Sequence, residues 1–291
     1  MDIYAIVTEK IVNLLEQGVV PWRRPWTSAG LPRNLVSKKP YRGANFFLLS
    51  ASKYISPFWL TMRQSNELGG HIRKGEESTA VVFWKIEDAK RSTEDLDTEE
   101  TDEKTRRRFL LRFYRVFNLE QCELPQAVIG KLPKIETHQH DPIEAVEKII
   151  AGMPNAPEIV RAGSKAFYSP ITDRVTLPPR ELFISADEEA CTAAHELSHS
   201  TGHEKRLGRE GITELAPFGS PVYSREELVA ELSAAYLCAE AGISNAVIRN
   251  QAAYVAGWLN KLRDDRKLLI HAAAQAQKAA DFILNRTNAE N

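Results

Sequence analysis

No stretch of the 291 residues comes near the about eighteen uninterrupted apolar side chains that a helix needs to cross a bilayer, so no membrane partner is expected. Nor does the chain open like a secretory leader, because Asp2, Glu9 and Lys10 interrupt its first apolar residues. A cytoplasmic protein is the expectation. Cysteine is scarce: Cys122, Cys191 and Cys238 are odd in number and far apart, which argues against a disulfide framework and provides no Cys-x-x-Cys metal site. They are expected as small core residues. An overall excess of charge is missing too, since 38 basic against 39 acidic residues leave a net charge of −1. With 43% hydrophobic and 26% charged residues, the chain has the make-up of a soluble globular protein long enough for two ordinary domains.

Charge is unevenly placed. Residues 1–80 hold 11 basic against 6 acidic side chains, and four of the five tryptophans, Trp22, Trp26, Trp59 and Trp84, lie in the first 84 residues. Apolar spacing at Ile3, Ile6, Val7, Ile11, Leu14 and Leu15 predicts a first amphipathic helix that Gly18 ends. The next segment, Pro21-Trp22-Arg23-Arg24-Pro25-Trp26, cannot be regular helix, and its prolines hold the backbone extended. Its indoles either tuck into a core or offer faces to unstacked bases, and Arg23 and Arg24 suit phosphate. Cations, aromatics and turn residues mix again at Lys38, Lys39, Tyr41 and Arg42, and cations recur in the loop at Arg73 and Lys74, a pattern suited to nucleic acid.

Phe46–Tyr54 and Met62–Gly70 predict short helices, and Pro57–Thr61 a strand. The apolar run Ala80–Ile86 and the return Phe109–Asn118 predict a long hairpin around an acidic loop at residues 87–105. Proline and polar residues from 125 to 141 suggest a linker between domains at 1–124 and 142–291. Beyond it come a helix over Pro142–Gly152 and short strands at Ile159–Val160, Ala166–Tyr168 and Arg174–Leu177. The hairpin across 166–177 is the expected edge for an extended peptide. Two further helices are expected over Ala246–Leu259 and Leu262–Ile283.

The chemistry concentrates at His195-Glu196-Leu197-Ser198-His199. Residues four apart lie above one another on a helix, so His195 and His199 can share one divalent metal while Glu196 acts as general base toward water. Ser185 with Glu188 reads as a capping box for this helix, and Gly202 as its stop signal. A catalytic metal needs a third protein ligand. His203, four residues after His199, is expected only as outer support at the helix end. The helical run Glu226–Leu237 carries Glu227 and Glu231 one turn apart; Glu227 is assigned to the metal, and Glu231 to orienting a histidine. One alternative remains, because Ser224 and Glu227 also fit a capping box, which would leave Glu226 or Glu231 as ligand. Tyr168, Tyr223 and Tyr254 are unranked donors for an oxyanion.

Pro-Trp-Arg-Arg-Pro-Trp, Tyr41-Arg42-Gly43-Ala44-Asn45, Arg73-Lys74-Gly75-Glu76, Tyr114–Asn118 and His-Glu-Leu-Ser-His-Ser-Thr-Gly-His with Arg206-Leu207 together resemble the ArdC-type antirestriction proteins of conjugative plasmids. The resemblance spans nearly the whole chain. It implies an α+β protein of two domains: an N-terminal single-stranded-DNA-binding domain, similar to the N-terminal region of plasmid transfer primases, and a C-terminal zincin-like metallopeptidase domain. It further implies protection of incoming single-stranded DNA from host restriction endonucleases. Zn2+ is the expected metal, with Mn2+ or another divalent ion as the alternative. A second reading is a peptidase acting on a protein substrate on DNA; a third is a metal that only staples the fold.

Overall fold

The computed structural model describes residues 3–17, 20, 31–52, 54, 56–88, 107–132, 142–214, 217, 220–243 and 251–286. The Pro-Trp-Arg-Arg-Pro-Trp segment and most of the acidic loop fall outside them. The N-terminal half runs α1 (Ile3–Glu16), β1 (Arg33–Asn34), α2 (Ala44–Ser50), β2 (Phe58–Leu60), α3 (Met62–Glu67), β3 (His71–Ile72), β4 (Thr79–Asp88), β5 (Arg107–Asn118), β6 (Cys122–Glu123) and α4 (Gln126–Ile129). The C-terminal half runs α5 (Pro142–Gly152), β7 (Glu158–Arg161), β8 (Phe167–Ser169), β9 (Arg174–Leu177), α6 (Ala186–Ser200), α7 (Glu210–Thr213), α8 (Pro221–Ala241), α9 (Gln251–Asp264) and α10 (Leu268–Ile283).

Strands β1-β2-β5-β4 form a sheet in that order, with β1 and β2 parallel and the other pairs antiparallel. The long hairpin pairs Thr79 with Val116 at its base and Asp88 with Arg107 at its far end. Local chemistry sets the boundaries of the small elements. Thr61 Oγ1 accepts from the Gln64 amide at 3.2 Å while Gln64 Oε1 accepts from the Thr61 amide at 2.9 Å, so α3 starts on a reciprocal cap. In the second half β7-β9-β8 form a sheet with β9 central and β8 at an edge.

The expected division into separate domains meets a shared core. Val7, Ile11 and Leu15 of α1 and Phe46 and Phe47 of α2 belong to one buried cluster with Leu232 and Tyr236 of α8, Leu262 of α9 and Ala272, Ala273 and Ala276 of α10. Tyr236 stands 4.6 Å from the Phe46 ring and 4.9 Å from Phe47, centroid to centroid, and its hydroxyl donates to the Gly43 carbonyl at 2.6 Å. Each such ring buried is worth about 1.5–3 kcal/mol. Gly43 turns at φ 59°, a left-handed conformation that a side chain would strain, and its amide donates to Gln277 Oε1 at 3.3 Å. Alanines on α10 let α8 and α2 approach closely, so neither half buries its apolar surface alone.

The start of the expected linker is also structured. Leu124 and Leu132 pack against the buried Leu35, Phe58 and Leu60, which ties residues 124–132 to the N-terminal half. Residues 133–141 lie outside the described ones.

Candidate metal centre

Helix α6 is built to be buried. Ser185 Oγ accepts from the Glu188 amide at 3.1 Å, and Glu188 Oε2 accepts from the Ile184 amide at 2.6 Å, one residue beyond the reciprocal partner expected. Asp187, Glu188 and Glu189 in the first turn complement the positive end of the helix. Ala190, Ala193, Ala194 and Leu197 are buried, and α8 packs along this small face. Cys191 and the buried Cys238 meet at the same interface as free thiols, Sγ to Sγ 3.0 Å.

The helix ends at Ser200, with Thr201 as its cap. Gly202 does not stop it by a left-handed turn. Its role is space: a Cβ there would stand 2.5 Å from Ile212 Cγ1 and 3.2 Å from Arg209 Nη2. The missing side chain lets residues 203–212 fold back onto the helix end, where the Arg209 amide donates to the Gly202 carbonyl at 2.9 Å.

Helix α8 begins with Ser220, whose Oγ accepts from the Tyr223 amide at 3.1 Å, followed by Pro221 in the first turn. Ser224 therefore lies inside the helix, which removes the capping-box alternative for Glu227. Among the described residues, His195, His199 and Glu227 form the one group of three or more His, Cys, Asp or Glu side chains whose ligand atoms gather within 4.8 Å. The two Nε2 atoms are 3.1 Å apart, His199 Nε2 is 3.4 Å from Glu227 Oε1, and His195 Nε2 is 3.8 Å from Glu227 Oε2. Donors about 2.1 Å from a common tetrahedral centre stand about 3.4 Å from one another. The three separations bracket that value, so two imidazoles and one carboxylate fit a divalent cation.

Behind the donors stands a buried charge relay. His199 Nδ1 is 3.3 Å from Glu226 Oε1, a contact in which Nδ1 donates and Nε2 is left as the nitrogen that faces the site. Arg209 grips Glu226 with both ends of its guanidinium, Nε to Oε2 at 2.8 Å and Nη2 to Oε1 at 2.6 Å. It is itself fixed by Thr201 Oγ1 at 2.6 Å and the Ser198 carbonyl at 2.8 Å. Gly211 makes room, since a Cβ there would lie 2.7 Å from Glu226 Cβ. The acid that supports His199 is thus Glu226 rather than Glu231, which sits half-buried further along α8.

The electrostatics ask for positive charge between the donors. Burial opposes charge on the His199 ring, but hydrogen bonds to Glu226 and Glu227 outweigh it and raise its pKa to about 10. Burial likewise pushes the Glu227 carboxyl up, but the His199 contact and the two ring charges draw it down to about 2. Glu196 is buried on α6 beside His195, near enough to Tyr223 for its charge to help raise the phenol, after burial and Glu227, to about 12. Of the three tyrosines expected at an oxyanion, Tyr223 lies at the site. Tyr168 donates instead to Asp173 Oδ1 at 2.9 Å, and the Tyr254 side chain lies outside the described residues. His203, buried, accepts from the Lys205 amide at Nδ1, 3.2 Å, in the turn after α6.

Arg206 holds the expected peptide edge. Its side chain is 1% exposed, binds Asp173 through Nη1 at 2.8 Å and Nη2 at 3.0 Å, and donates to the Ser200 carbonyl at 2.9 Å and the Asn155 carbonyl at 2.8 Å. The β8–β9 turn is so tied to the end of α6, with the edge strand β8 packed beside that helix.

Residues 144–275 match the model of a zincin-like metallopeptidase family, and residues 1–117 match that of the N-terminal domain of the anti-restriction factor ArdC. The crystal structure of the antirestriction protein ArdC of plasmid R388, metal-free, superimposes with a TM-score of 0.74 at 32% identity over 99% of this chain and 100% of that one. The chain belongs to the ArdC family. A Mn(II)-bound structure of R388 ArdC gives a TM-score of 0.73 at 33% identity. A Sinorhizobium fredii protein designated y4eC is 35% identical over 97% of the chain and 91% of its own length. DNA primase TraC of Escherichia coli is 36% identical over 97% of the chain, which spans 20% of that primase and 26% of a second TraC. The ArdC-family fold is α+β, with an ArdC N-terminal domain and a zincin-like domain.

The residues expected to meet DNA in this ArdC-family chain divide into three groups. Trp22, Arg23, Arg24 and Trp26 lie outside the described residues. Lys38, Lys39 and Lys74 are exposed, with Lys38 Nζ 5.4 Å from the centre of the Phe58 ring. Tyr41, Arg42 and Arg73 are engaged within the fold. Tyr41 is 7% exposed and packs with Leu49, Trp59, Val81 and Val116, so its faces are not free to stack on a base. Arg73 binds Glu76 at 2.9 Å and the Glu120 carbonyl. Arg42 pairs with Asp281, a buried carboxylate on α10, and so joins the two halves.

Arg42→Ala is therefore expected to lower stability by about 1–3 kcal/mol, the cost of leaving the buried Asp281 Oδ2 without its charged donor while Gln277 still donates to Oδ1. A thermal melt should read this as a loss of several degrees. Affinity for DNA, measured on the same sample, should change by less than about twofold; a larger loss would return Arg42 to the DNA-contacting set. Sequence reasoning missed Arg206, Arg209 and Glu226 as a group. The signal was the pair of arginines at 206 and 209 directly after the His-Glu-x-x-His helix, followed by an acid beside the assigned ligand.

Proposed function

We propose that this protein binds single-stranded DNA through its N-terminal half and protects incoming plasmid DNA from host restriction endonucleases. The observation that supports it most is the alignment with the R388 antirestriction protein over the full length of both chains. In this reading His195, His199 and Glu227 hold a divalent cation. Two imidazoles and a carboxylate favour Zn2+, and Mn2+ is the alternative that the R388 relative's metal suggests.

A peptidase acting on a DNA-associated protein is a second reading, favoured by the completeness of the constellation. When bound, the cation supplies electrophilic polarisation of a carbonyl and activation of water. The chain supplies the rest. Glu196 takes and returns a proton, Tyr223 offers a hydroxyl to developing negative charge, and β8 offers backbone groups to an extended peptide. Arg209 and Glu226 keep His199 in the tautomer that presents Nε2.

One experiment separates the readings. Full-length wild type and Glu196→Ala are tested for binding to a single-stranded oligonucleotide and for protection of transferred plasmid DNA in a restricting host. Both proteins are expected to bind and protect alike, with affinity falling about tenfold or more between 50 and 200 mM salt as counterions are released. Loss of protection by Glu196→Ala, with DNA binding intact, would establish the peptidase reading. Absence of wild-type binding would overturn the first.

A further inference from the structure

Phe83 and Tyr114 stand side by side on one face of the β4–β5 hairpin. Phe83 is 44% exposed and Tyr114 47%, and their ring centres lie 5.5 Å apart in a T-shaped contact. Tyr41 continues the line, 6.4 Å from Phe83. This line leaves the core directly, because Tyr114 is the register partner of the fully buried Val81, and Tyr41 packs on Val81, Val116 and Trp59. The base of this face is therefore anchored in the core, and its outer part presents rings to solvent. The contact between the two rings makes one contiguous aromatic surface rather than scattered exposed side chains.

The charges around the rings select the occupant. Arg112 is the register partner of Phe83 and so belongs to the same face of the hairpin, and the exposed Lys39 lies two residues before Tyr41. The acids of β4, Glu87 and Asp88, stand at the far end of the hairpin opposite Arg108 and Arg107. Stacking faces beside cations fit a ligand that carries both unpaired bases and phosphates; a duplex hides its base faces. We propose that Phe83 and Tyr114 form the base-stacking platform for single-stranded DNA, with Tyr41 positioning Phe83 from below. This inference rests on the DNA-binding reading above and assigns it to residues outside both the tryptophan-arginine segment and the basic loop of the sequence.

The test uses the full chain, a fluorescent twenty-nucleotide oligothymidylate, and an abasic oligonucleotide of the same length. Wild type is expected to prefer the base-bearing strand by about tenfold or more, and Phe83→Ala with Tyr114→Ala to lose that preference. The salt dependence should stay unchanged, because phosphate contacts remain. Phe83→Trp with Tyr114→Trp should keep the preference, and Phe83→Leu with Tyr114→Gln should repeat the loss with an unaltered melting temperature. If wild type binds and the folded double variants bind equally well, the platform is wrong while the DNA reading stands. A self-associating wild type that the double variant renders monomeric, with DNA affinity unchanged, would make this face a contact between copies and overturn the proposal. If wild type binds neither strand, both fall.

Discussion

Glu227→Ala is expected to weaken Zn2+ binding by more than about a hundredfold, read by competition against a chromogenic chelator on the full-length protein. Loss of a group that only supports a ligand costs about 10–100-fold, so loss of a direct donor exceeds that range. Thermal melting offers an independent check. A metal that binds only the folded state raises the melting temperature by mass action. Excess chelator should therefore lower the melting temperature of wild type and leave that of Glu227→Ala where it is. His203→Ala, whose ring is occupied with the Lys205 amide outside the three-donor cluster, should keep affinity within a few-fold. If Glu227→Ala binds Zn2+ within tenfold of wild type, Glu227 is not the third donor, and Glu226 becomes the acid to replace next.

The parts of this site that were legible in the sequence are the local ones. Ser185 and the small apolar face of 190–197 announce a buried helix, and four-residue spacing alone puts His195 over His199. The rest depends on how α8 crosses α6. Glu226, Glu227 and Glu231 are all helical acids, and no periodicity says which of them meets His199, because that is fixed by a contact between helices 27 residues apart in sequence. Arg209 is less visible still. Its partners are a carbonyl and a hydroxyl on the preceding helix end and a carboxylate on the following helix, brought together by a turn whose tightness rests on the absent side chain of Gly202.

The fold divides in the same way. The β4–β5 hairpin and the cap of α3 follow from residues within their own segments, whereas the shared core does not. Helix α1 shows an apolar face but nothing that names α9 and α10 as its cover. Tyr41 and Arg42 look like nucleic-acid residues until Trp59, Val81 and Asp281 arrive from elsewhere in the chain. The parallel pairing of β7 with β9 across an intervening strand is equally non-local. A basic, aromatic composition therefore singles out the N-terminal half without choosing a face of it. The exposed pair Phe83 and Tyr114 lies within what residue patterning alone marks as the two strands of a hairpin.

Arg209→Met is expected to be the most destabilising single change at the centre. It leaves the Glu226 carboxylate buried with only His199 to answer it, and breaking a buried pair from one side costs about 3–5 kcal/mol. For a chain of this size that amounts to a fall in melting temperature of roughly 6–15 °C. Arg209→Met with Glu226→Met should recover part of the loss, since the double variant removes the unpaired charge along with the pair. It should not recover metal affinity, because His199 then lacks the acceptor that fixes its Nδ1 proton. The pH dependence has a definite sign. Burial pushes the Glu226 carboxyl up, but Arg209 and then His199 outweigh it and hold the pKa below the ordinary carboxylate value. A depressed carboxyl contributes stability that is present above its unfolded pKa and lost as the pH falls through the folded one. Urea unfolding in chelator should therefore show the gap between wild type and Arg209→Met at full size at neutral pH and narrowing in acid. A gap independent of pH would mean that Arg209 acts through its contacts with Ser198 and Thr201 rather than through Glu226.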